Sequence, residues 1–324
     1  MATLPTIAIT CGDPLGIGPE VALGALADPD VARAARWRIY GPRALFGGAA
    51  SRWPDGAARA QAPVAIVEVA GPLPGGEPRP TAEGGAVSFE AVDRAIADAR
   101  RSPGDSDRDD GLVTAPISKE AWRLAGHDFP GHTDLLAARF APGGARAVMS
   151  FFSEKLRVAL VTTHIPLSQV ASAITAARIV EVIEMSAAAC ERLGIPSPRI
   201  AVCGLNPHAG EAGLLGPEDD AIIRPAIEQA RTGGRRVSGP HPADTIYRAA
   251  VRGEHDLVVA MYHDQGLIPV KLLAFDSAVN VTLGLPTVRT SPDHGTAYDI
   301  AGKGVADCGS MKAACLLAAR LAAG

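Results

Sequence analysis

Aromatic residues make up only 4% of this 324-residue chain, so small aliphatic side chains have to do most of the packing. There is no excess of positive charge either. With 31 Lys and Arg against 35 Asp and Glu, the formal net charge is −4, which excludes a basic field for nucleic acid or a polybasic membrane patch. The five cysteines, at 11, 190, 203, 308 and 315, form no CxxC pair, and their mostly apolar settings fit buried free thiols in a reducing cytoplasm. No apolar run reaches membrane-spanning length. The start Met1-Ala2-Thr3-Leu4-Pro5 lacks a basic n-region and a long h-region, so no signal peptide is expected. Internal repeats, coiled-coil heptads and a GxGxxG dinucleotide fingerprint are missing too. What remains is the expectation of a soluble cytoplasmic protein that works on small molecules.

Short apolar strands alternate with helical patterns throughout, which predicts an α/β fold with a largely parallel sheet, and the length suits two lobes. Strands are expected at Thr6 to Thr10, Arg38 to Tyr40, Val64 to Val69 and Leu112 to Thr114. Phe89, Val92, Ile96 and Ala99 recur at helical spacing and mark an amphipathic helix, flanked by stretches from Gly71 to Gly85 and Arg100 to Asp110 that read as exposed loops. Ala145 to Ser153 and Leu156 to Thr162, joined by Glu154-Lys155, read as a β-hairpin. A helix from about Thr175 to Leu193 is stopped by Gly194 and Pro196, and another begins near Ser310. A weakly marked boundary falls near Gly126 to Gly131.

Three histidines stand out. His164 in Thr-His-Ile-Pro-Leu, His208 in Asn-Pro-His-Ala-Gly-Glu and His263 in Tyr-His-Asp-Gln-Gly each follow an apolar run that reads as a buried strand. Imidazoles at the ends of separate strands can converge on one ion, and three of them leave a position open for substrate. Read singly, each is a histidine at a strand end. Together, in strings this polar and turn-rich, they point to chemistry.

At the N-terminus, Gly12-Asp13-Pro14-Leu15-Gly16-Ile17-Gly18-Pro19-Glu20 forms a strand-to-helix turn, with Pro19 suited to the first turn of the helix. Near the other end stands His294-Gly295-Thr296-Ala297-Tyr298-Asp299-Ile300-Ala301-Gly302-Lys303-Gly304. This string resembles the cofactor loop of the isocitrate and isopropylmalate dehydrogenases, which also carry a GDGIGPE-like turn and bind a dinucleotide without GxGxxG. The strings between them narrow the match: Gly131-His132-Thr133-Asp134, Thr163-His164, Gly204 to Glu211, Pro242 to Thr245, Met261 to Gly266 and Val279 to Pro286 running on to Arg289-Thr290-Ser291. Taken in order over nearly the whole chain, they are similar to the 4-hydroxythreonine-4-phosphate dehydrogenase family of pyridoxal phosphate biosynthesis. The family usually has Glu at Asp134 and Leu at His241.

The resemblance implies the isocitrate-dehydrogenase-like α/β fold, with residues 1–125 plus 275–324 in a first, cofactor-side lobe, 126–274 in a second, and the active-site cleft between them. It implies a homodimer with shared active sites, with the 145–162 hairpin as one interface element. One divalent cation (zinc, cobalt, nickel, manganese or magnesium) would be held by His164, His208 and His263. The substrate's phosphate and carboxylate would be held by His132, Thr133, Lys271, Asn280 and Arg289, and NAD or NADP by His294, Gly295, Thr296, Ala297 and Asp299. The carboxylate of Asp299 favours NAD, because it can bond ribose hydroxyls and repels a 2′-phosphate. Asp264 and Asp244 are candidates to support the metal ligands or accept a proton, with helix capping an equal prospect for Asp244.

The implied reaction is metal-dependent NAD(P)-linked oxidation of 4-hydroxy-L-threonine 4-phosphate, followed by decarboxylation to 3-amino-2-oxopropyl phosphate. The alternatives are a dehydrogenase of D-threonate or D-erythronate 4-phosphate, a dihydrodiol dehydrogenase, a His₃ metal-dependent hydrolase and a silent binding protein.

Overall fold

The computed structural model describes residues 4–46, 64–140 and 147–324. Two compact units divide the chain: Met1–Ala147 with Leu285–Ala323, and Val148–Gly284 with Gly324. The first opens with β1 (Thr6–Thr10), α1 (Gly18–Leu26), α2 (Pro29–Ala34), β2 (Arg36–Gly41), β3 (Val64–Glu68), α3 (Ala82–Ala99), β4 (Gly111–Thr114), α4 (Lys119–Leu124) and α5 (His132–Phe140). The second contains β5 (Val148–Phe152), β6 (Arg157–Leu160), α6 (Leu167–Ala173), α7 (Ala176–Arg192), β7 (Ile200–Cys203), α8 (Arg224–Thr232), β8 (Val237–His241), α9 (Ala243–Val251), β9 (Leu257–Ala260), α10 (His263–Ala274) and β10 (Val279–Leu283). The chain then returns to the first unit as β11 (Val288–Pro292) and α11 (Gly309–Ala323).

Within the first unit the strands lie in the order β3-β2-β1-β4-β11, all parallel, with Ile9 level with Ile39 on one side and Val113 on the other. Ile7, Ile9, Ile39, Leu112 and Val113 are all but inaccessible, as expected for parallel strands covered on both faces. The second unit orders its strands β10-β5-β6-β9-β7-β8; β10/β5 and the predicted hairpin β5/β6 are antiparallel, the rest parallel. Its core is built from Val158, Leu160, Ala201, Cys203, Val258 and Ala260 with Leu267 and Val270 of α10. Residues 145 and 146 of the expected hairpin lie outside the described residues.

The unit boundaries fall at 147/148 and 284/285, not at the 125/126 and 274/275 expected. α5 belongs with the first unit because Arg139 pairs with Asp93 of α3 at 2.6 Å. Residues 279–283 belong with the second because β10 runs antiparallel to β5.

Both expected flanking loops need correction. Thr81 caps α3 by accepting the Gly84 N–H at 3.0 Å, so the helix begins at Ala82 and takes in the buried Gly84-Gly85 pair. At Gly85 the backbones meet: a Cβ there would lie 1.9 Å from the Ala121 carbonyl oxygen of α4. On the other side Asp109 is fully buried, receiving the Tyr40 hydroxyl at 2.5 Å and Arg38 Nη1 at 3.2 Å. The few aromatic residues are concentrated in the interior, where Trp37, Tyr40, Phe46, Trp122 and Phe152 are among the largest fully buried side chains. Cys11, Cys190, Cys203 and Cys315 are buried and Cys308 half-buried, all as free thiols.

Candidate active site

Each of the three histidines expected to bind the cation lies just beyond the carboxyl end of a strand, where open α/β sheets place their ligand-binding loops. In the second unit, β6 is tied to β9 past the strand ends. Val161 N donates to Ala260 O at 2.9 Å, and Thr162 Oγ1 donates to Met261 O at 2.7 Å. That lashing sets His164 beside His263, with ring centroids 5.6 Å apart and planes tilted by 46°. His263 opens α10, and its Nδ1 lies 2.7 Å from Asp264 Oδ1. A proton shared there leaves the Nε2 lone pair as the donor for a cation.

His208 is exposed on the turn after β7. Among the described residues no three His, Cys, Asp or Glu side chains lie close enough to share an ion. Within one chain, then, the structure brings together His164 and His263 but not His208. An exposed imidazole pair with one nitrogen oriented by a carboxylate fits part of a divalent-cation site. Asp264 is within hydrogen-bond reach of His263, one of the two roles expected of it being support of that ring. Asp244 is exposed in the first turn of α9, whose cap, Pro242, makes no side-chain capping bond. Lys271 is exposed on α10 with Nζ over the Phe275 ring, and Asn280 is half-buried on β10, level with Phe151.

The remaining predicted residues belong to the first unit. Arg289 on β11 is buried, and its Nε and Nη2 donate to Thr114 Oγ1 of β4 at 3.2 and 2.7 Å. Burial lowers its pKa to about 10. His132 opens α5 with its ring edge-on to Trp122, the centroids 5.5 Å apart. Burial, then the nearby Arg289 and Lys119 charges, hold His132 well below the usual imidazole range, so it is neutral at neutral pH. Its buried Nε2 has no hydrogen-bond partner, and the same is true of His294 Nε2. Two imidazole nitrogens left unpaired at the predicted substrate and cofactor positions suit a polar ligand.

The N-terminal turn and the loop after β11 meet, though 285 residues apart in sequence at their closest bond. Tyr298 Oη donates to Asp13 Oδ2 at 2.7 Å, and Ile17 N donates to Thr296 O at 2.9 Å. Asp13 is fully buried, and burial raises its pKa against the pull of Tyr298 and the Leu15 N–H. Ala297 takes a left-handed φ of 42°, and Asp299 and Gly295 are exposed on the same loop.

Residues 27–318 match the family model described as "Pyridoxal phosphate biosynthetic protein PdxA". The chain belongs to the PdxA family. It is 45% identical to the 4-hydroxythreonine-4-phosphate dehydrogenase of Geobacter metallireducens over 99% of this chain and 96% of that one. It is 43% identical to the D-threonate 4-phosphate dehydrogenase of Cupriavidus necator, covering 98% of each. The crystal structure of 4-hydroxythreonine-4-phosphate dehydrogenase from Klebsiella pneumoniae superposes with a TM-score of 0.85 at 40% identity, covering 100% of this chain and 99% of that one. The fold likeness extends to a beta-decarboxylating dehydrogenase of Thermococcus kodakarensis, with a TM-score of 0.52 at 18% identity over 98% of this chain and 82% of that one. The α/β fold of the Klebsiella enzyme, shared in outline with the beta-decarboxylating dehydrogenase, is therefore the fold of this PdxA-family chain.

Four residues emerge that sequence reasoning did not assign. Asp13 and Gln265 stood inside quoted motifs, so their strings were visible and their roles were not. Buried Gln265 accepts Met261 N–H at 2.6 Å and donates to Gly204 O at 2.7 Å, linking the ends of β9 and β7. Lys119 opens α4 and faces His132, but in sequence it is one lysine at a helix start. Asp219, fully buried, lies in a Pro-Glu-Asp-Asp run that reads as a solvated helix start.

Proposed function

We propose that this PdxA-family chain oxidises 4-hydroxy-L-threonine 4-phosphate with NAD. The C3 hydroxyl gives up its proton and the C3 carbon its hydride, yielding 2-amino-3-oxo-4-(phosphooxy)butanoate. That β-keto acid loses CO₂ to leave 3-amino-2-oxopropyl phosphate. The observation that carries the reading is the His164–His263 pair with Asp264 behind it, in a chain whose relatives at 43 to 45% identity are named as dehydrogenases of four-carbon phosphate esters. A divalent cation held by His164, His208 and His263 supplies Lewis-acid polarisation at the reacting oxygen. Imidazole ligands favour zinc, cobalt or nickel over manganese and magnesium.

The chain's own groups do the rest. Arg289 and Lys271 neutralise the anionic ends of the substrate; His132, Thr133 and Asn280 orient them by hydrogen bonds. His294, Gly295, Thr296, Ala297 and Asp299 hold the dinucleotide, and the Asp13–Tyr298 bond keeps that loop in place.

The working unit is a homodimer. Ile268 and Leu272 on α10 and Phe275 at its C-cap, spaced i, i+4 and i+7, are 59, 82 and 68% exposed, on the helix that starts with His263. Leu214 and Leu167, near the other two histidines, are 78 and 71% exposed. Apolar side chains this exposed, grouped on one helix face, call for a partner surface. A second copy that covers them also completes a cation site that one chain leaves at two imidazoles.

The test is NADH formation at 340 nm by metal-reconstituted protein offered 4-hydroxy-L-threonine, D-threonate and D-erythronate 4-phosphates. Preference for the amino compound supports the proposal. Preference for a sugar-acid phosphate moves the chain to the activity named for the Cupriavidus relative, and turnover without NAD would point to a hydrolase.

A further inference from the structure

The turn that carries His208 has a backbone its residues do not favour. From His208 to Gly213 six consecutive residues have positive φ, at 53, 54, 80, 45, 56 and 87°. His208, Ala209, Glu211 and Ala212 all carry a Cβ, which in this region crowds the following carbonyl oxygen. Such conformations persist only where the surroundings over-determine them.

Backbone bonds close the turn itself, from Ala209 N to Asn206 O at 3.1 Å and from Gly213 N to Gly210 O at 2.9 Å, and one carboxylate fixes its entry. Asp219 is fully buried and opens a single π-helical turn, Asp219–Ile223, just before α8. Its Oδ1 accepts the Leu205 N–H at 2.9 Å; its Oδ2 accepts the Asn206 N–H at 3.1 Å and Asn206 Nδ2 at 3.0 Å. The approach is so close that a Cβ at Gly204 would stand 2.6 Å from Asp219 Oδ1. Asn206 Nδ2 also reaches Glu218 Oε2 at 2.8 Å. Among the described residues no Lys or Arg pairs with Asp219, and the hydrogen bonds it accepts all come from N–H donors at the entry to the turn. Only an acceptor on both oxygens can serve these donors; an amide would turn N–H toward N–H.

We infer that Asp219 is a positioning residue: its carboxylate holds the left-handed turn 208–213 so that the His208 imidazole is presented before any cation arrives. This rests on reading His208 as a cation ligand. It differs from ordinary loop anchoring in predicting that the damage from losing Asp219 is repaired by a residue that tolerates left-handed φ.

The experiment titrates Co²⁺ into the metal-free full-length protein, following its visible spectrum, and measures amide hydrogen exchange over residues 204–213. Asp219→Asn should weaken Co²⁺ at least tenfold, alter the spectrum, and expose the Leu205 and Asn206 amides even without metal. Ala209→Gly, added to Asp219→Asn, should restore part of the affinity, because glycine adopts that φ without Cβ crowding. His208→Ala is the reference for loss of the ligand. Wild-type affinity and spectrum in Asp219→Asn overturn the proposal while leaving the ligand reading intact. Unchanged exchange, or no rescue by Ala209→Gly, overturns it as well. Wild-type Co²⁺ binding in His208→Ala overturns the ligand reading itself, and the proposal with it. Should Asp219→Asn not fold, Asn206→Ala, which removes one of the three donors, must weaken Co²⁺ several-fold; wild-type binding there overturns the proposal.

Discussion

His263 Nδ1 and Asp264 Oδ1 stand 2.7 Å apart although the two residues are neighbours in the chain, because His263 begins α10 and both side chains leave its first turn together. The bond orients the ring and selects the tautomer, leaving Nε2 to donate its lone pair. Both residues are exposed enough (38 and 73% of the side chain) for the role to be tested without unfolding anything. Asp264→Ala is expected to weaken divalent-cation binding roughly 10–100-fold, the range found when a carboxylate behind a ligating histidine is removed. Chelator competition measures it, with circular dichroism to confirm an unchanged fold. Asp264→Asn, whose Oδ1 still accepts, should lose less; equal affinity in all three proteins would remove Asp264 from the site.

Leu272 tests the dimer. At 82% exposure its replacement by Asp removes almost no packing within the chain, so urea unfolding at low protein concentration should shift by no more than about 0.5 kcal/mol. If a second copy covers α10, a buried unpaired carboxylate opposes association by several kcal/mol. Leu272→Asp should sediment as a monomer with little dehydrogenase activity. A fully active monomer would sink the shared-site reading.

What the sequence made legible was local. The Phe89, Val92, Ile96, Ala99 spacing, the hairpin around Glu154-Lys155 and the Thr175-capped α7 each depend on residues within a few turns of one another, and each is where the pattern puts it. The histidine strings were legible for the same reason. Their convergence was not: the turn after β7 places His208 apart from His164 and His263, and no spacing rule encodes six left-handed residues in a row. Asp13 and Tyr298 meet across 285 positions, and Gly85 meets Ala121 across two helices. Such approaches are set by tertiary packing, on which composition and periodicity say nothing. The unit boundaries moved for a like reason, since strand pairing of β10 with β5 decided one and the Arg139–Asp93 ion pair marks the other.

Gly85 sets two effects against each other. In a helix, Gly→Ala gains about 1 kcal/mol of propensity. Here the added Cβ would lie 1.9 Å from Ala121 O and 2.4 Å from Ala121 C, backbone atoms that cannot rotate away. Forcing α3 and α4 apart costs about 1–3 kcal/mol or more in a well-packed interior, so packing wins. Gly85→Ala should be destabilised by about 2 kcal/mol in urea unfolding, and Gly85→Ser by at least as much. A stabilised Gly85→Ala would mean that the helices do not touch there.

Asp109 gives stability a pH dependence of definite sign. Burial pushes its carboxyl up from the usual 3.8 to about 6; the Tyr40 hydroxyl and Arg38 pull against the shift and Asp98 adds to it. Asp98, in the same network, is held below the usual range: burial opposes this, but Arg101, Tyr40, Arg94 and Arg38 outweigh it. A carboxyl whose folded pKa is raised stabilises the fold through its bound proton. That contribution is complete below about pH 4 and is lost as pH climbs through about 6. The shift to about 6 corresponds to on the order of 3 kcal/mol. Asp109→Asn keeps an acceptor for the Tyr40 hydroxyl and cannot ionise. Relative to that variant, the wild-type chain should lose about 3 kcal/mol in urea unfolding between pH 4 and pH 7, with the difference flat above pH 7. Parallel stability curves from pH 4 to 7 would show that the Asp109 proton is not held by the fold. A wild-type chain that gained on the variant as pH rose would mean that Arg38 outweighs burial and that the carboxylate is the preferred form.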